Sequence, residues 1–377
     1  MPQATRESVL HHTPVQGPAQ WSASPTDKRI LITGAGGWIG SALARALGSG
    51  PHGVRPASLV LLDASEGNLY AIDAALGATP HTAILGSVTD ARLLNEIFTA
   101  HRPQIVFHAA ACKHVPLLES NPFAALAVNA LGTHLLAEAA EQSGVETFVL
   151  LSTDKAADPC GIMGASKRIA ELAVLARVSH TAMQAKIARL VNVLGSPGSV
   201  LPLFAQQIAS GGPVTVTHAQ AERYFITLEE TVALLLSIAD PAVPRGLYVP
   251  RVADPVNILD LARQCLARHA SAAEIVFTGL RPGEKLTESL LAAHEHYDNE
   301  AEAHATNTAS ASTRRVQTPI PALGHIATIL SKLQEAVANR DLPAALACVR
   351  LLVPEYKPAP DLAGLCVQES VAVGAHK

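Results

Sequence analysis

The stretch Arg29-Ile-Leu-Ile-Thr33-Gly34-Ala-Gly-Gly37-Trp-Ile-Gly40 decides the fold of this 377-residue chain. Its first five residues have the pattern of a buried strand, and a helical pattern over residues 41–47 follows the glycines directly. Glycines at such a junction permit a tight turn, close approach of the backbone to a pyrophosphate, and close packing of helix on strand. The helix N-terminus would favour the phosphate charge. The stretch therefore predicts a strand–turn–helix unit that binds a dinucleotide.

An acidic residue ends the next strand pattern, Ser58-Leu-Val-Leu-Leu-Asp63. A carboxylate at this place accepts hydrogen bonds from an adenosine ribose and repels a 2′-phosphate. Asp63 therefore predicts NAD rather than NADP as the cofactor. The alternative role for Asp63 is that of a helix N-cap.

Strand and helix patterns alternate along the first half of the chain. After Asp63 come a strand over residues 82–85, a helix over 90–101, a strand over 104–108, a helix over 129–142 and the strand over 146–151. This alternation predicts an α/β fold, a Rossmann-like doubly wound parallel sheet, with a smaller C-terminal substrate-binding region.

Composition divides the chain into six predicted segments. They are a disordered leader (1–26), an NAD-binding Rossmann domain (27–190), a substrate-binding region (191–291), a mobile connector (292–318), a helical tail (319–358) and a disordered end (359–377).

The composition excludes several classes of protein. The net charge of -4, without a basic block, argues against a nucleic-acid partner. Five cysteines are scattered without metal-ligand spacing and predict reduced thiols. No apolar run approaches the ~18 residues of a membrane helix, and residues 1–26 lack the pattern of a signal peptide. We therefore expect a cytoplasmic protein without membrane insertion.

The candidate site combines Ser152-Thr-Asp-Lys155 with Met163-Gly-Ala-Ser-Lys167. The first run ends a strand, where open α/β sheets place their ligands. Met163 and Lys167 lie four residues apart on one face of the following helical pattern. An acid, an amine and a second lysine thus meet at one strand end, although an exposed Asp–Lys turn is the alternative interpretation.

Five runs together resemble the polysaccharide-biosynthesis dehydratases of the extended short-chain dehydrogenase/reductase superfamily. They are Thr33-Gly-Ala-Gly-Gly-Trp-Ile-Gly-Ser41, Phe107-His-Ala-Ala-Ala-Cys-Lys-His-Val-Pro-Leu117, Ser152-Thr-Asp-Lys-Ala156, Met163-Gly-Ala-Ser-Lys-Arg168 and Gly279-Leu-Arg-Pro-Gly-Glu-Lys-Leu286. The similarity covers residues 28–291 and 351–356. The best-known activity of that family is UDP-N-acetylglucosamine 4,6-dehydration.

The resemblance implies roles at the strand end. Asp154 would be the acid that protonates the leaving 6-hydroxyl, and Lys155 the base at C5. The pair must then hold Asp154 protonated and Lys155 neutral. Lys167 would bind the nicotinamide ribose and ease proton loss from the 4-hydroxyl, to which Thr153 would hydrogen-bond.

Met163 stands where the wider superfamily usually has a tyrosine that relays the C4 proton. A thioether cannot do this, so the chain is either a dead enzyme or a member of the methionine-bearing branch that relies on water, Asp154 or Lys167. We favour the second interpretation. Two further departures are Ser87, in place of an adenine-contacting aspartate, and Cys112, where tyrosine is frequent.

The remaining predicted contacts follow from the same resemblance. Cofactor contacts are expected from Gly34, Gly37, Trp38, Ile39, Gly40, Asp63, Ser87, Val88, Ala109, Ala110, Lys113, Asn129 and Lys167. Substrate contacts are expected from Lys113, Asn192, Val200, Arg223, Arg281 and Glu284. Guanidinium groups match phosphate oxygens, so Arg223 and Arg281 could clamp a diphosphate, unless they are merely solvated. His108 and His114 fit packing or loop positions better than metal ligands, and no metal is implied.

Three functions stay open at this point. The leading one is an NAD-dependent lyase, a nucleotide-sugar 4,6-dehydratase acting on a UDP-sugar. An NAD-dependent UDP-sugar 4-epimerase needs no base at C5, so Lys155 discriminates between the two. A catalytically silent NAD(H)-binding protein is the third. Relatives of this type associate through their nucleotide domains, which predicts a homo-oligomer.

Overall fold

The computed structural model describes residues 26–50, 55–177, 181–298, 313–358 and residue 362. The predicted leader and the predicted disordered end lie outside the described residues, apart from Thr26 and Leu362.

A mostly parallel sheet forms the centre of the molecule. Within the described residues it has nine strands. In spatial order they are His296–Tyr297, Thr313–Gln317, Gly246–Pro250, Gln184–Leu190, Thr147–Thr153, Ile105–His108, Arg29–Thr33, Ser58–Asp63 and Thr82–Leu85. The seven from Gly246–Pro250 to Thr82–Leu85 are parallel, and the other two are antiparallel. The strand order reverses between Arg29–Thr33 and Ile105–His108, as in doubly wound folds.

Helices cover both faces of this sheet, and apolar clusters fill both interfaces. These helices are Trp38–Ser49, Glu66–Leu76 and Leu228–Ile238 on one face and Ala91–His101, Pro122–Gln142 and Ile162–Leu175 on the other. The other described helices are Val115–Glu119, Val200–Ala209, Ile258–Arg268, Leu323–Ala338 and Leu342–Leu352. The predicted α/β Rossmann-like fold is confirmed.

Three short strand pairs lie beside the large sheet. They join Phe225–Ile226 to Asn192–Val193, Val256–Asn257 to Glu222–Arg223, and Ile275–Phe277 to Val214–Val216. A separate apolar cluster around Phe204 and Leu261 packs within this part of the chain.

The structure differs from the predicted mobile connector at both of its described ends. His296–Tyr297 and Thr313–Gln317 pair with each other, and the latter also pairs with Gly246–Pro250. This pairing satisfies backbone groups that an edge strand would otherwise expose. Residues 299–312 lie outside the described residues.

One described helix, Pro122–Gln142, is long and apolar enough by composition to cross a membrane. The sequence prediction missed it because polar residues such as Asn129 and Thr133 interrupt the apolar run. In the fold 61% of its most apolar window is buried against the rest of the protein. A core helix passes the same test of length and composition, so the finding is weak evidence for a membrane span.

Candidate active site

A cavity of about 690 Å³ opens at the carboxyl ends of the parallel strands. Twelve of the predicted site residues line it: Gly34, Gly37, Trp38, Ile39, Gly40, Ala109, Lys113, Thr153, Lys155, Met163, Lys167 and Asn192. The sheet topology thus brings together residues that the chain separates by more than a hundred positions.

The glycine turn forms one wall of the cavity. Gly34 has a φ of 66°, and a Cβ there would lie 2.6 Å from the backbone nitrogen of Ala110. A Cβ on Gly40 would lie 2.1 Å from the carbonyl oxygen of Gly34. Side chains at these positions would therefore force the turn apart, and the bare backbone is left free to face a pyrophosphate.

Asp63 lies beside this turn. Its Oδ2 accepts a hydrogen bond from the Gly36 N–H at 2.8 Å, and its Oδ1 accepts one from the Ser65 N–H at 2.8 Å. The N-cap of the next helix is Ser65, so the alternative role for Asp63 is wrong. Each carboxylate oxygen has a further lone pair with which it can accept a ribose hydroxyl.

The predicted acid–base pair lies where the strand Thr147–Thr153 ends. Lys155 Nζ donates to Asp154 Oδ1 at 2.9 Å, and Thr153 Oγ1 donates to the same oxygen at 2.9 Å. Asp154 is fully buried, whereas the Lys155 side chain keeps 22% of its surface exposed, toward the cavity. Asp154 Oδ2 has no hydrogen-bond partner among the described residues. The exposed-turn interpretation is therefore wrong.

The charge state of Lys155 differs from the sequence expectation. Burial disfavours the ammonium, but the charges of Asp154 and Glu288 and the hydrogen bond to Asp154 outweigh it, and the pKa of Lys155 is raised. Lys155 is therefore protonated at rest, whereas the mechanism implied by the resemblance needs it neutral. Two carboxylates around one amine are the physical reason.

The helix Ile162–Leu175 carries the other half of the site. Lys167 Nζ donates to the carbonyl of Leu151 at 2.6 Å, and burial lowers the pKa of Lys167 to about 8. Met163 is 4% exposed and lines the cavity one helical turn away. Glu119 caps this helix from a neighbouring element, since its Oε1 accepts the Ile162 N–H at 2.6 Å. Gly164 allows the helix to approach the strand, because a Cβ there would lie 2.1 Å from the Lys155 carbonyl.

Asn129 acts through the backbone of the cavity wall. It lies in a π-helical turn, Leu126–Gly132, within the longer helix. Its Oδ1 accepts the Cys112 N–H at 2.8 Å, and its Nδ2 donates to the Cys112 carbonyl at 2.9 Å and to Ser166 Oγ at 3.0 Å. These hydrogen bonds use the polar atoms of the Asn129 side chain and hold the loop at Cys112 beside the cavity. Asn129 itself is buried and does not line the cavity. π-Helical turns often occur at such sites.

Arg223 and Arg281 do not form the diphosphate clamp that the sequence predicted. The Arg223 guanidinium donates to the backbone carbonyls of Glu222, Lys285 and Leu286, at 2.7 to 2.9 Å. Arg281 donates to Glu284 Oε1 from Nε at 3.0 Å. Arg223 thus fastens the loop that carries Arg281, and Arg281 and Glu284 occupy each other instead of pointing separately into the cavity. Neither arginine lines the cavity.

The other predicted contacts are distributed around the cleft. Lys113 Nζ donates to the Pro197 carbonyl at 2.9 Å, and Asn192 Nδ2 donates to the Tyr224 carbonyl at 3.0 Å. Six further predicted residues do not line the cavity: Asp63, Ser87, Val88, Ala110, Val200 and Glu284.

The two histidines have different surroundings. His108 is fully buried between Thr33 and Thr133, and burial together with the Lys167 charge lowers its pKa to about 3. Thr133 Oγ1 donates to the Asn129 carbonyl, so it accepts from His108 Nε2–H, and His108 Nδ1 accepts from Thr33. His108 is a neutral packing residue, whereas His114 lines the cavity.

Sequence reasoning missed Glu288, which lies in the site beside Lys155. Its Oε1 is 3.8 Å from Lys155 Nζ. The sequence feature that could have indicated Glu288 is its position two residues beyond the Gly279–Leu286 run, a segment that was already expected at the site.

Comparisons with known proteins agree with this architecture. The family described as "Polysaccharide biosynthesis protein" matches residues 30–310. The "Probable polysaccharide biosynthesis protein EpsC" of Bacillus subtilis (strain 168) is 42% identical over 278 residues, which cover 71% of this chain and 46% of that protein. The chain therefore spans about half the length of this relative.

Two further relatives bear names of different enzymes. The "UDP-glucose 4-epimerase" of Rickettsia rickettsii is 33% identical over 71% of this chain and 79% of its own. The "UDP-N-acetylglucosamine 4,6-dehydratase (inverting)" of Campylobacter jejuni is 29% identical over 72% of this chain and 79% of its own.

A solved structure shares the fold. It is a double mutant of DesIV, a dTDP-glucose 4,6-dehydratase from Streptomyces venezuelae, with NAD and DAU bound, and it superposes with a TM-score of 0.65. The two chains are 19% identical, and the match covers 79% of this chain and 94% of that one.

Proposed function

The chain belongs to the family described as "Polysaccharide biosynthesis protein", and we propose that it is an NAD-dependent nucleotide-sugar 4,6-dehydratase. Its proposed substrate is UDP-N-acetylglucosamine, which it converts to the 4-keto-6-deoxy sugar. The observation that carries this proposal is the buried Asp154–Lys155 pair at the cavity, because an epimerase has no use for a base at C5.

The glycine turn supports NAD as the cofactor. The tight turn at Gly34, Gly37 and Gly40 has no room for a Cβ at Gly34 or Gly40, its bare backbone lines the cavity, and the Asp63 carboxylate lies next to it. NAD bound here would supply the hydride acceptor for C4 and return the same hydride to C6. Lys167, which lines the cavity, would hold the nicotinamide ribose.

The resting pair can reach the reactive charge state without exchange with solvent. A proton that moves from Lys155 Nζ to Asp154 Oδ1, along the 2.9 Å contact, leaves a neutral amine and a protonated acid. Lys155 can then take the C5 proton while Asp154 gives its own to the departing 6-hydroxyl, which leaves as water.

Proton loss from the 4-hydroxyl needs a group other than Met163. Lys167, with its pKa lowered to about 8, lies one turn from Met163 on the cavity side of the helix. We assign to the neutral Lys167 amine the acceptance of the O4 proton as the hydride leaves C4, with Thr153 as the hydrogen-bonding partner of O4.

The experiment that tests the proposal is incubation of the protein with UDP-N-acetylglucosamine in heavy water. We expect a product that has lost one water and carries deuterium at C5, detected by mass spectrometry and proton NMR. A product of unchanged mass without C5 deuterium would instead support the epimerase, a function that one named relative shares. Bound NAD without any product would support the silent NAD(H)-binding protein.

Replacing Asp63 by alanine should weaken binding of NAD more than binding of NADP. The carboxylate attracts the ribose hydroxyls of NAD and repels the 2′-phosphate of NADP. The difference in Kd can be measured by calorimetry for both dinucleotides on both proteins. If the wild type binds NADP many-fold more tightly than NAD, the role assigned to Asp63 is wrong.

The cytoplasmic location and the homo-oligomer stay predictions.

A further inference from the structure

Glu288 is a buried carboxylate with an incomplete set of partners. It is 4% exposed, and its Oε2 has no hydrogen-bond partner among the described residues. Its two oxygens lie 3.8 Å from Lys155 Nζ and 3.8 Å from Lys285 Nζ. A buried, partly unsatisfied acid costs free energy, so its place beside a candidate base calls for a functional reason.

Lys155 Nζ is in contact with two carboxylates, one through a short hydrogen bond and the other through a longer ion pair. Asp154 is bonded at 2.9 Å and also accepts from Thr153. Glu288 approaches from the loop segment that follows the Gly279–Leu286 run. The other charged or titratable groups that act on Lys155 or Glu288 are Arg223, Lys285 and Cys160.

We propose that Glu288 is a positioning residue that supplies the counter-charge for Lys155 when Lys155 takes the C5 proton. This inference rests on the proposed dehydratase function. It gives a role to an acid that neither the sequence motifs nor the resemblance assigned.

The proton balance of the elimination carries the argument. The C5–H bond breaks and its proton goes to Lys155 Nζ, while Asp154 gives a proton to the C6 oxygen and the C6–O bond breaks. Asp154 must begin this step protonated, and so it carries no negative charge as the ammonium starts to form. Of the carboxylates in contact with Lys155 Nζ in the described structure, Glu288 is then the anion.

The same contact also sets the resting state. Burial raises the pKa of Glu288 above its ordinary value, and the Lys155 charge offsets only part of this effect. The Glu288 charge in turn helps to raise the pKa of Lys155. Glu288 therefore makes Lys155 a stronger base, and it raises the pH at which the Asp154–Lys155 pair loses its proton to solvent.

The test is Glu288→Gln, which keeps the shape of the side chain and removes its charge. We expect the C5 deuterium incorporation rate on the plateau of its pH profile to fall about tenfold, because the new ammonium loses its counter-charge. The basic limb of the pH profile should move roughly one unit lower, because Lys155 then loses to solvent more readily the proton that it must pass to Asp154. A merely structural role would lower the rate without moving the limb.

Two variants serve as controls. Glu288→Asp keeps the charge on a shorter side chain, so its limb should lie between those of the wild type and Glu288→Gln. Asp260→Asn removes one negative charge from an exposed helix position, and it should leave both the rate and the limb unchanged.

A measurement without turnover separates this inference from the proposed function. In protein with ¹³C-labelled lysine, the Lys155 Cε signal, assigned by its absence in Lys155→Ala, reports the Lys155 pKa directly. We expect Glu288→Gln to lower this pKa, and Glu288→Asp to lower it less. If the wild type makes no dehydrated sugar, the proposed function fails while this titration still tests the contact. An unchanged Lys155 pKa in both Glu288 variants would overturn the inference.

Discussion

Lys155→Ala should lower the rate of dehydration by roughly 10³-fold, because it removes the group assigned as the base for the C5 proton. The Lys155 amine contacts Asp154 at 2.9 Å and lines the cavity. Deuterium incorporation at C5 and formation of the dehydrated product should fall together, and they can be measured by NMR in heavy water. NAD should remain bound, since its expected contacts come from the glycine turn, Asp63 and Lys167.

A lysine on the protein surface provides the matched control. Lys332 is exposed on the helix Leu323–Ala338, so Lys332→Ala should retain full activity. If Lys155→Ala still incorporates deuterium at C5 at the wild-type rate, another group is the base and the dehydratase mechanism proposed here is wrong.

Glu171→Gln should lower the free energy of unfolding by about 3–5 kcal/mol, because it breaks a fully buried network of charges. Glu171 Oε2 is 2.7 Å from Arg189 Nη2 and 3.0 Å from Arg168 Nη1, and Glu295 contacts both arginines as well. The arginine charges lower the pKa of Glu171 and hold that of Glu295 at about 2. Neutralising Glu171 leaves the two buried guanidinium groups with Glu295 and with the partly exposed Glu355, whose Oε1 is 3.6 Å from Arg168 Nε.

The loss can be measured by denaturant unfolding of the wild type and the variant. Glu96→Gln is the control, because Glu96 forms an ion pair with Arg92 on the protein surface, where both side chains are exposed, and such pairs contribute little. Equal effects of the two substitutions would show that the network does not hold the fold together. Activity should also fall, since Ser152 Oγ, next to the catalytic strand end, donates to Glu171 at 2.6 Å.

The sequence by itself determined the fold and the groups that are candidates for the reaction. The run from Arg29 to Gly40 specifies a strand, a tight turn and a helix, because each of its glycines meets a local backbone requirement. The alternation of strand and helix patterns then admits few topologies, since parallel strands need crossover helices. Thr153, Asp154 and Lys155 could be assigned because they directly follow a recognisable strand.

Only the tertiary structure decided which groups each side chain hydrogen-bonds or pairs with. Arg223 looked like a phosphate clamp, yet it donates to backbone carbonyls that it meets only after the chain has folded. Lys155 looked like a neutral base, yet its pKa is raised by the charges of Asp154 and of Glu288, the latter more than a hundred residues distant along the chain. Periodicity and spacing report local geometry, whereas electrostatic energies and hydrogen bonds depend on distances between remote segments. The sequence therefore specified which groups are present, and the packing of the sheet and the loops decided which of them are paired, charged or free to act.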